Sequence, residues 1–193
     1  MLLLCTFCTL LIGWCLGGRL SRFERAGLRR PLFPVAALLC QRAVPFLPVY
    51  ALTPVLLMGS YFLLFVFLWQ NRHLLSAVLF LGLGSLCNFI VIAVNGFAMP
   101  VSEHALNTLS ADGAAALIAG EIPMYRVADS ATRLSFLGDI FWFPVPFFQG
   151  FASVGDILLC IGVFFLIIAL MSPTRLIMHG KREAAPGRGR HSS

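Results

Sequence analysis

The stretch Leu74-Leu-Ser-Ala-Val-Leu-Phe-Leu-Gly-Leu-Gly-Ser-Leu-Cys-Asn-Phe-Ile-Val-Ile-Ala-Val94 carries no charge over 21 positions. Polar turns close it on both sides, Gln70-Asn71-Arg72-His73 before it and Asn95-Gly96 after it. A helix needs about 20 consecutive apolar residues to cross the hydrocarbon core of a bilayer, and Asn-Gly is a turn dipeptide. The segment reads as a membrane-crossing helix, and the chain around it repeats the pattern. Residues 55–69 and 154–171 are equally apolar, residues 2–17 form an uncharged opening run, and residues 31–49 form a further candidate. Pro34, Pro45, Pro48 and the polar pair Gln41-Arg42 make that last candidate irregular, as a kinked span or a re-entrant hairpin would be.

Of the 193 residues, 59% are hydrophobic and 11% charged, and the mean hydropathy is +0.90. Soluble domains carry about 25% charged residues, so an ordinary soluble domain is excluded. Five spans leave no length for a separate soluble catalytic domain. The expectation is an all-α integral membrane helix bundle of about five spans, with the N-terminus outside and the C-terminus inside. Residues 1–172 make the single transmembrane domain, residues 95–152 its one outer segment, and residues 173–193 a basic cytoplasmic tail.

The net charge of +6 arises from 14 basic against 8 acidic residues, a balance that in a soluble protein would suggest nucleic acid. Placement gives a different reading. Arg19, Arg22, Arg25, Arg29 and Arg30 crowd one loop, and Arg175, Lys181, Arg182, Arg188 and Arg190 crowd the tail. Both clusters flank apolar runs, as cytoplasmic anchors on anionic lipid do, and no nucleic-acid partner is expected. With the N-terminus outside, 11 of the 14 basic residues fall inside, and the reverse topology would violate the positive-inside bias. The opening run has no basic residue before it and no small-residue cleavage site, so it is expected to stay as the first helix.

The six cysteines all lie in apolar stretches without metal-ligand or disulfide-framework spacing, and they read as small packing residues. Gly13-x-x-x-Gly17 and Gly82-x-Gly84 read as small-residue helix contacts. In the outer segment, Ser102 to Ser110 predicts a short helix with Ser102 as its N-cap, and Asp112 is placed to cap a second one through Ala119. The run Ile140 to Phe151 is aromatic, rich in proline and too short to span, so it is expected to lie at the outer membrane interface.

Ionisable groups in or beside a membrane are costly, which makes Arg42, Asp139 and Asp156 candidates for function. Arg42 needs a partner and can approach Asp139 or Asp156; Gln41 can hydrogen-bond across helices. Ser153-Val-Gly-Asp156 fits a capping box, in which hydroxyl and carboxylate satisfy the free amides of a helix start. The sharper alternative is a dyad of Asp156 with Asp139 or Asp129, one carboxylate acting as base and the other as acid on a water. Ser102 and His104 lack a nucleophile elbow. Nothing in the chain points to a cofactor or a metal, and none is expected.

The run from Gly138-Asp139 through Ser153-Val-Gly-Asp156 resembles the C-terminal part of bacterial signal peptidase II, where an aromatic segment leads to a catalytic aspartate at the edge of the last helix. That resemblance would make Asp156 the aspartate, with Asp129 the nearest candidate for its partner. The chain departs from that pattern where Ser130 follows Asp129 and where Ser153 stands in place of Asn. A second resemblance covers more of the chain. Gly18-Arg19-Leu20, Asn95-Gly-Phe-Ala-Met-Pro-Val-Ser102, Thr132-Arg133-Leu134 with Leu137-Gly-Asp-Ile140, and Ser153-Val-Gly-Asp-Ile157 resemble a family of small bacterial multi-pass membrane proteins without assigned function. It implies the multi-pass topology and a bacterial origin, hence a plasma-membrane location, and names no activity; Arg42, Gln41, Asn95, Ser102, Arg133 and Ser153 are expected to be structural or binding residues. The reading is a non-catalytic subunit, assembly factor or lipid-contacting scaffold whose partners are membrane lipids and other membrane proteins. The alternative is an aspartate-dependent hydrolase of a lipid-linked substrate, using Asp139 and Asp156 with Asp129 in reserve.

Overall fold

The computed structural model describes residues 1–46, 52–143 and 150–171. Seven α-helices and four short strands are found among them: α1 (Leu2–Cys15), α2 (Leu32–Ala43), α3 (Thr53–Gln70), α4 (Leu75–Val94), β1 (Met99–Val101), α5 (Glu103–Leu106), α6 (Ala111–Ile118), β2 (Tyr125–Val127), β3 (Asp139–Phe143), β4 (Gly150–Ser153) and α7 (Val154–Met171). Three helices, α3, α4 and α7, are long and apolar enough to cross a membrane. Their bounds follow the uncharged runs closely, and the turn at 71–74 and the stop at Asn95-Gly96 fall where the polar residues put them.

Helices α1 and α2 are shorter than expected. Their 14 and 12 residues rise about 21 and 18 Å at 1.5 Å each, against a hydrocarbon core of roughly 30 Å. In α2 the helix stops at Ala43 and a 3-10 turn runs over Val44–Phe46, because Pro45 brings no backbone N–H to continue the ladder. Residues 47–51 and the basic tail at 173–193 lie outside the described residues.

Helix α1 runs beside α7 in the same direction: the Cys5 thiol donates to the Cys160 carbonyl at 3.4 Å, and Gly13 lies against Met171 near the other end. The loop after α1 is tied to the same end, Arg19 N–H donating to the Met171 carbonyl at 3.3 Å. Helix α2 runs against α3 in the opposite direction, and Gln41 Nε2 donates to Ser60 Oγ at 3.0 Å across the pair, as its polar amide led one to expect. Helices α4 and α7 make the tightest pair. A side chain on Gly84 would sit 2.6 Å from the Gly155 carbonyl, and one on Gly162 would sit 2.6 Å from Leu81 N, so glycine lets the two backbones touch. Of the two glycines in Gly82-x-Gly84, only Gly84 makes such a contact.

The bundle thus has a basic end, where the 18–31 loop, the 70–74 turn and Met171 meet, and an opposite end covered by a sheet. That sheet corrects the all-α expectation. It has four strands in the order β2-β1-β3-β4, with β1 parallel to β2 and to β3, and β3 antiparallel to β4. The aromatic stretch expected at the membrane interface supplies the β3–β4 arms, with Trp142 opposite Phe151 and their rings 5.3 Å apart. Aromatic residues favour a pleated, half-buried surface, which explains the outcome; residues 144–149 between the arms lie outside the described residues. Two short helices follow β1. Ser102 caps α5, accepting from Ala105 N–H, as expected, whereas α6 is capped by Ser110, accepting from Gly113 N–H, and not by Asp112. Asp112 falls in the first turn of α6, where its negative charge suits the positive end of the helix dipole.

Candidate functional site

Strand β4 runs directly into α7, so Ser153 is both the last strand residue and the residue preceding the helix. The capping box forms in both directions: Asp156 N–H donates to Ser153 Oγ at 3.0 Å, and Ser153 N–H donates to Asp156 Oδ2 at 3.1 Å. Sequence reasoning missed the third member. Asn88, buried on α4, donates from Nδ2 to Asp156 Oδ1 at 3.0 Å and accepts the Ser153 hydroxyl proton at Oδ1, 2.8 Å away. The three side chains close a ring of hydrogen bonds across the α4–α7 contact, and Gly155 leaves the space that the Asn88 amide fills. The signal available was an amide in the middle of an otherwise apolar run, which a membrane helix tolerates only with a partner.

Asp139 reaches the same place through the sheet. Its backbone pairs with Ser153 across β3–β4, and its carbonyl accepts from Ser102 N–H at 3.0 Å from the end of β1. Gly138 lets this happen, since a side chain there would sit 2.5 Å from the Pro100 carbonyl. Asp139 is 4% exposed, and burial, reinforced by the negative charge of Asp156, pushes its carboxyl up to about 7. The Tyr125 hydroxyl on β2, beyond β1 in the sheet, is also pushed up, by desolvation first and then by the charges of Asp139 and Asp156, with Arg42 pulling the other way. Arg42 stands exposed in the last turn of α2 and forms an ion pair with neither aspartate.

Asp129 is placed elsewhere. It is exposed, pairs with Arg126 at 2.9 Å, and closes a surface turn by accepting from Thr132 Oγ1 and Ala131 N–H. The Thr132 hydroxyl above all, with the Ala131 amide and the Arg126 charge, holds its carboxyl below the usual range against an opposing desolvation. The dyad candidates therefore separate: Asp139 lies on β3 within reach of the charge of Asp156, and Asp129 belongs to a loop.

Two asparagines hold the ends of the bundle by one device. Asn95, past the end of α4, donates from Nδ2 to the Val91 and Arg133 carbonyls at 2.8 and 2.7 Å and accepts Arg133 N–H at 3.0 Å. Asn71, past the end of α3, donates to the Phe67 and Arg29 carbonyls at 2.8 and 2.9 Å and accepts Arg29 N–H at 2.8 Å. In each case the side-chain amide pairs with a distant backbone as a strand neighbour would, and the residue clamped is an arginine. Asn95 thus meets Arg133 through the arginine backbone and not its side chain.

A cleft of about 450 Å³ runs down the bundle between the α2–α3 pair and the α4–α7 pair. Gln41, Tyr61, Ser85, Asn88 and Asp156 give it polar points, and the remaining walls are apolar. Among the described residues no group of three or more His, Cys, Asp or Glu side chains is placed to hold a metal ion.

Three of the four strings singled out in the sequence converge on this region: Asn95 clamps Arg133, Pro100 packs on Gly138, Ser102 bonds Asp139, and Asp139 faces Ser153, whereas Gly18-Arg19-Leu20 lies at the basic end beside Met171. No curated protein and no solved structure matches the chain. Residues 28–168 match the model of DUF5317, a family of unknown function, and the chain belongs to that family.

Proposed function

We propose that the protein is a non-catalytic integral membrane protein of the bacterial plasma membrane, a subunit, assembly factor or lipid-contacting scaffold. It crosses five times with its N-terminus outside, and the sheet caps the outer end of the bundle. The observation that carries this reading is the use made of Asp156. Both of its carboxylate oxygens receive hydrogen bonds, from Asn88 Nδ2 and from Ser153 N–H, so the group joins α4 to the start of α7 and caps that helix. Support for five passes comes from α1 and α2, which lie alongside α7 and α3, the first parallel and the second antiparallel, despite their shortness. Large apolar side chains exposed along the helices, among them Phe7, Trp14, Leu39, Phe62 and Trp69, suit acyl chains and partner helices. Purification in mild detergent, with mass spectrometry of the copurifying proteins and lipids, tests the reading. A stoichiometric membrane complex or an enriched bilayer lipid supports it, and a solitary protein with neither counts against it.

One observation favours the second reading, an aspartate-dependent hydrolase acting on a lipid-linked substrate at the outer leaflet. Asp139, with its pKa near 7, is suited to give and take a proton beside a second carboxyl group, that of Asp156. Asp139→Asn and Asp156→Asn separate the two: a hydrolase loses turnover of a lipopeptide while still assembling, whereas a scaffold loses stability or partner binding.

A further inference from the structure

At the basic end a second recess of about 380 Å³ is lined by Gly27, Arg29, Gln70, Arg72 and His73. The same two chain stretches also wall the cleft that runs into the bundle, through Leu28 from the loop and Phe67 and Leu68 from the last turn of α3. Leu28 lines the cleft while its chain neighbours Gly27 and Arg29 line the recess, so the two spaces adjoin at this loop. One end is cationic, with no carboxylate among the described residues that line it; the other is predominantly apolar and within the roughly 300–1,000 Å³ of ligand pockets.

The rim is fixed in place. Asn71, 1% exposed, holds both the N–H and the carbonyl of Arg29, which ties the 27–30 loop to the α3–α4 turn that carries Arg72 and His73. Aromatic rings accompany the cations: the Arg72 guanidinium lies 5.3 Å from the centre of the Trp69 ring, and that of Arg30 lies 5.2 Å from Phe33. Trp69 is 71% exposed, and exposed tryptophan beside arginine is the composition of a headgroup-level belt. Basic pockets between membrane helices bind acidic headgroups.

We propose that recess and cleft together form a site for one acidic phospholipid of the surrounding leaflet. Its phosphate is held by Arg29 and Arg72 with His73 beside them, and one acyl chain lies along Leu28, Phe67 and Leu68 into the cleft. This deepens the lipid-contacting reading above and rests on it. An acidic diacyl lipid satisfies both spaces at once. A free phosphate would leave the apolar walls empty, and a zwitterionic lipid would bring a cation to the arginines.

The test uses the full-length protein in nanodiscs of equal phosphatidylglycerol and phosphatidylcholine with matched chains, released into the gas phase for native mass spectrometry. The wild type is expected to retain one phosphatidylglycerol in preference to phosphatidylcholine, at about fivefold per arginine engaged. Arg29→Gln with Arg72→Gln is expected to abolish the preference. The Asn71 bonds go to the Arg29 backbone and survive the substitution, and circular dichroism checks that they do. Should the double variant fail to fold, raising the salt on the wild type gives the same reading, since a charge-held headgroup loses its preference under screening. Equal retention of the two lipids, a preference that persists in the variant or at high salt, or displacement by inorganic phosphate as effective as by phosphatidylglycerol would each overturn the proposal. Flotation of the protein with vesicles lacking acidic lipid is read separately: its loss would overturn the membrane reading itself, and its persistence confines a negative result to this site.

Discussion

Ser153 has two partners in the ring beneath the sheet, and Ser153→Ala removes both. The helix loses its cap, and the buried Asn88 oxygen loses its donor, a combined cost of roughly 2–4 kcal/mol. Thermal unfolding in detergent measures it; a change below about 1 kcal/mol would mean that water replaces the hydroxyl. Asp139 makes a prediction in pH. Its carboxyl titrates near 7 in the fold and near 3.8 in the unfolded chain, so across that interval the folded state keeps a proton that the unfolded state has released. Stability is therefore fullest at the acid end and declines as pH rises toward 7. Asp139→Asn keeps the shape and cannot ionise, so melting temperatures at pH 5 and pH 8 should lie closer together in the variant than in the wild type. An unchanged difference would assign the slope to another group. The residues of this ring were only partly legible in the sequence. The Ser153–Asp156 box is a local pattern three residues long, whereas Asn88 lies 65 positions away, and nothing local announces its partner.

The elements show where local reading ends. Helices α3, α4 and α7 are visible because an uncharged run of about 20 residues bounded by polar turns has one stable outcome in a bilayer. Helix α2 was overextended because apolar composition continues past Pro45 while the backbone ladder does not. The sheet was not foreseen: its strands are three to five residues long, β1 contains a proline, and the pairings join segments far apart in the chain. At this scale the α4–α7 contact makes the sharpest prediction. Gly162→Ala and Gly84→Ala each place a methyl against backbone of the facing helix, which should cost on the order of 1–3 kcal/mol. Gly59→Ala, where nothing lies within 4 Å, should be neutral or gain up to about 1 kcal/mol of helix propensity. Melting of the three variants in one detergent compares them directly, and equal behaviour would show that α4 and α7 can part without loss.

For the whole molecule, the two ends differ in kind. At one end Asn95 holds the 133 region and the sheet covers the start of α7; at the other Asn71 holds the arginine loop and no strand is found among the described residues. The hydrophobic runs and basic clusters made this polarity legible, because a span must end in water on each side and cations favour the cytoplasmic one. The runs do not report how the spans pack into two pairs with a cleft between them, which depends on glycine contacts and buried amides. The polarity has a direct consequence. On the proposed orientation, which puts the sheet outside, a cysteine replacing exposed Ser130 should react with a membrane-impermeant maleimide in intact cells, in a background lacking the six native cysteines. A cysteine replacing exposed His73, in the α3–α4 turn, should react only after permeabilisation. The inverse pattern would turn the bundle over and place the basic recess in the outer leaflet, against the positive-inside bias. Labelling of both sites in intact cells would mean that α3 and α4 do not cross, since the two positions sit at opposite ends of those helices.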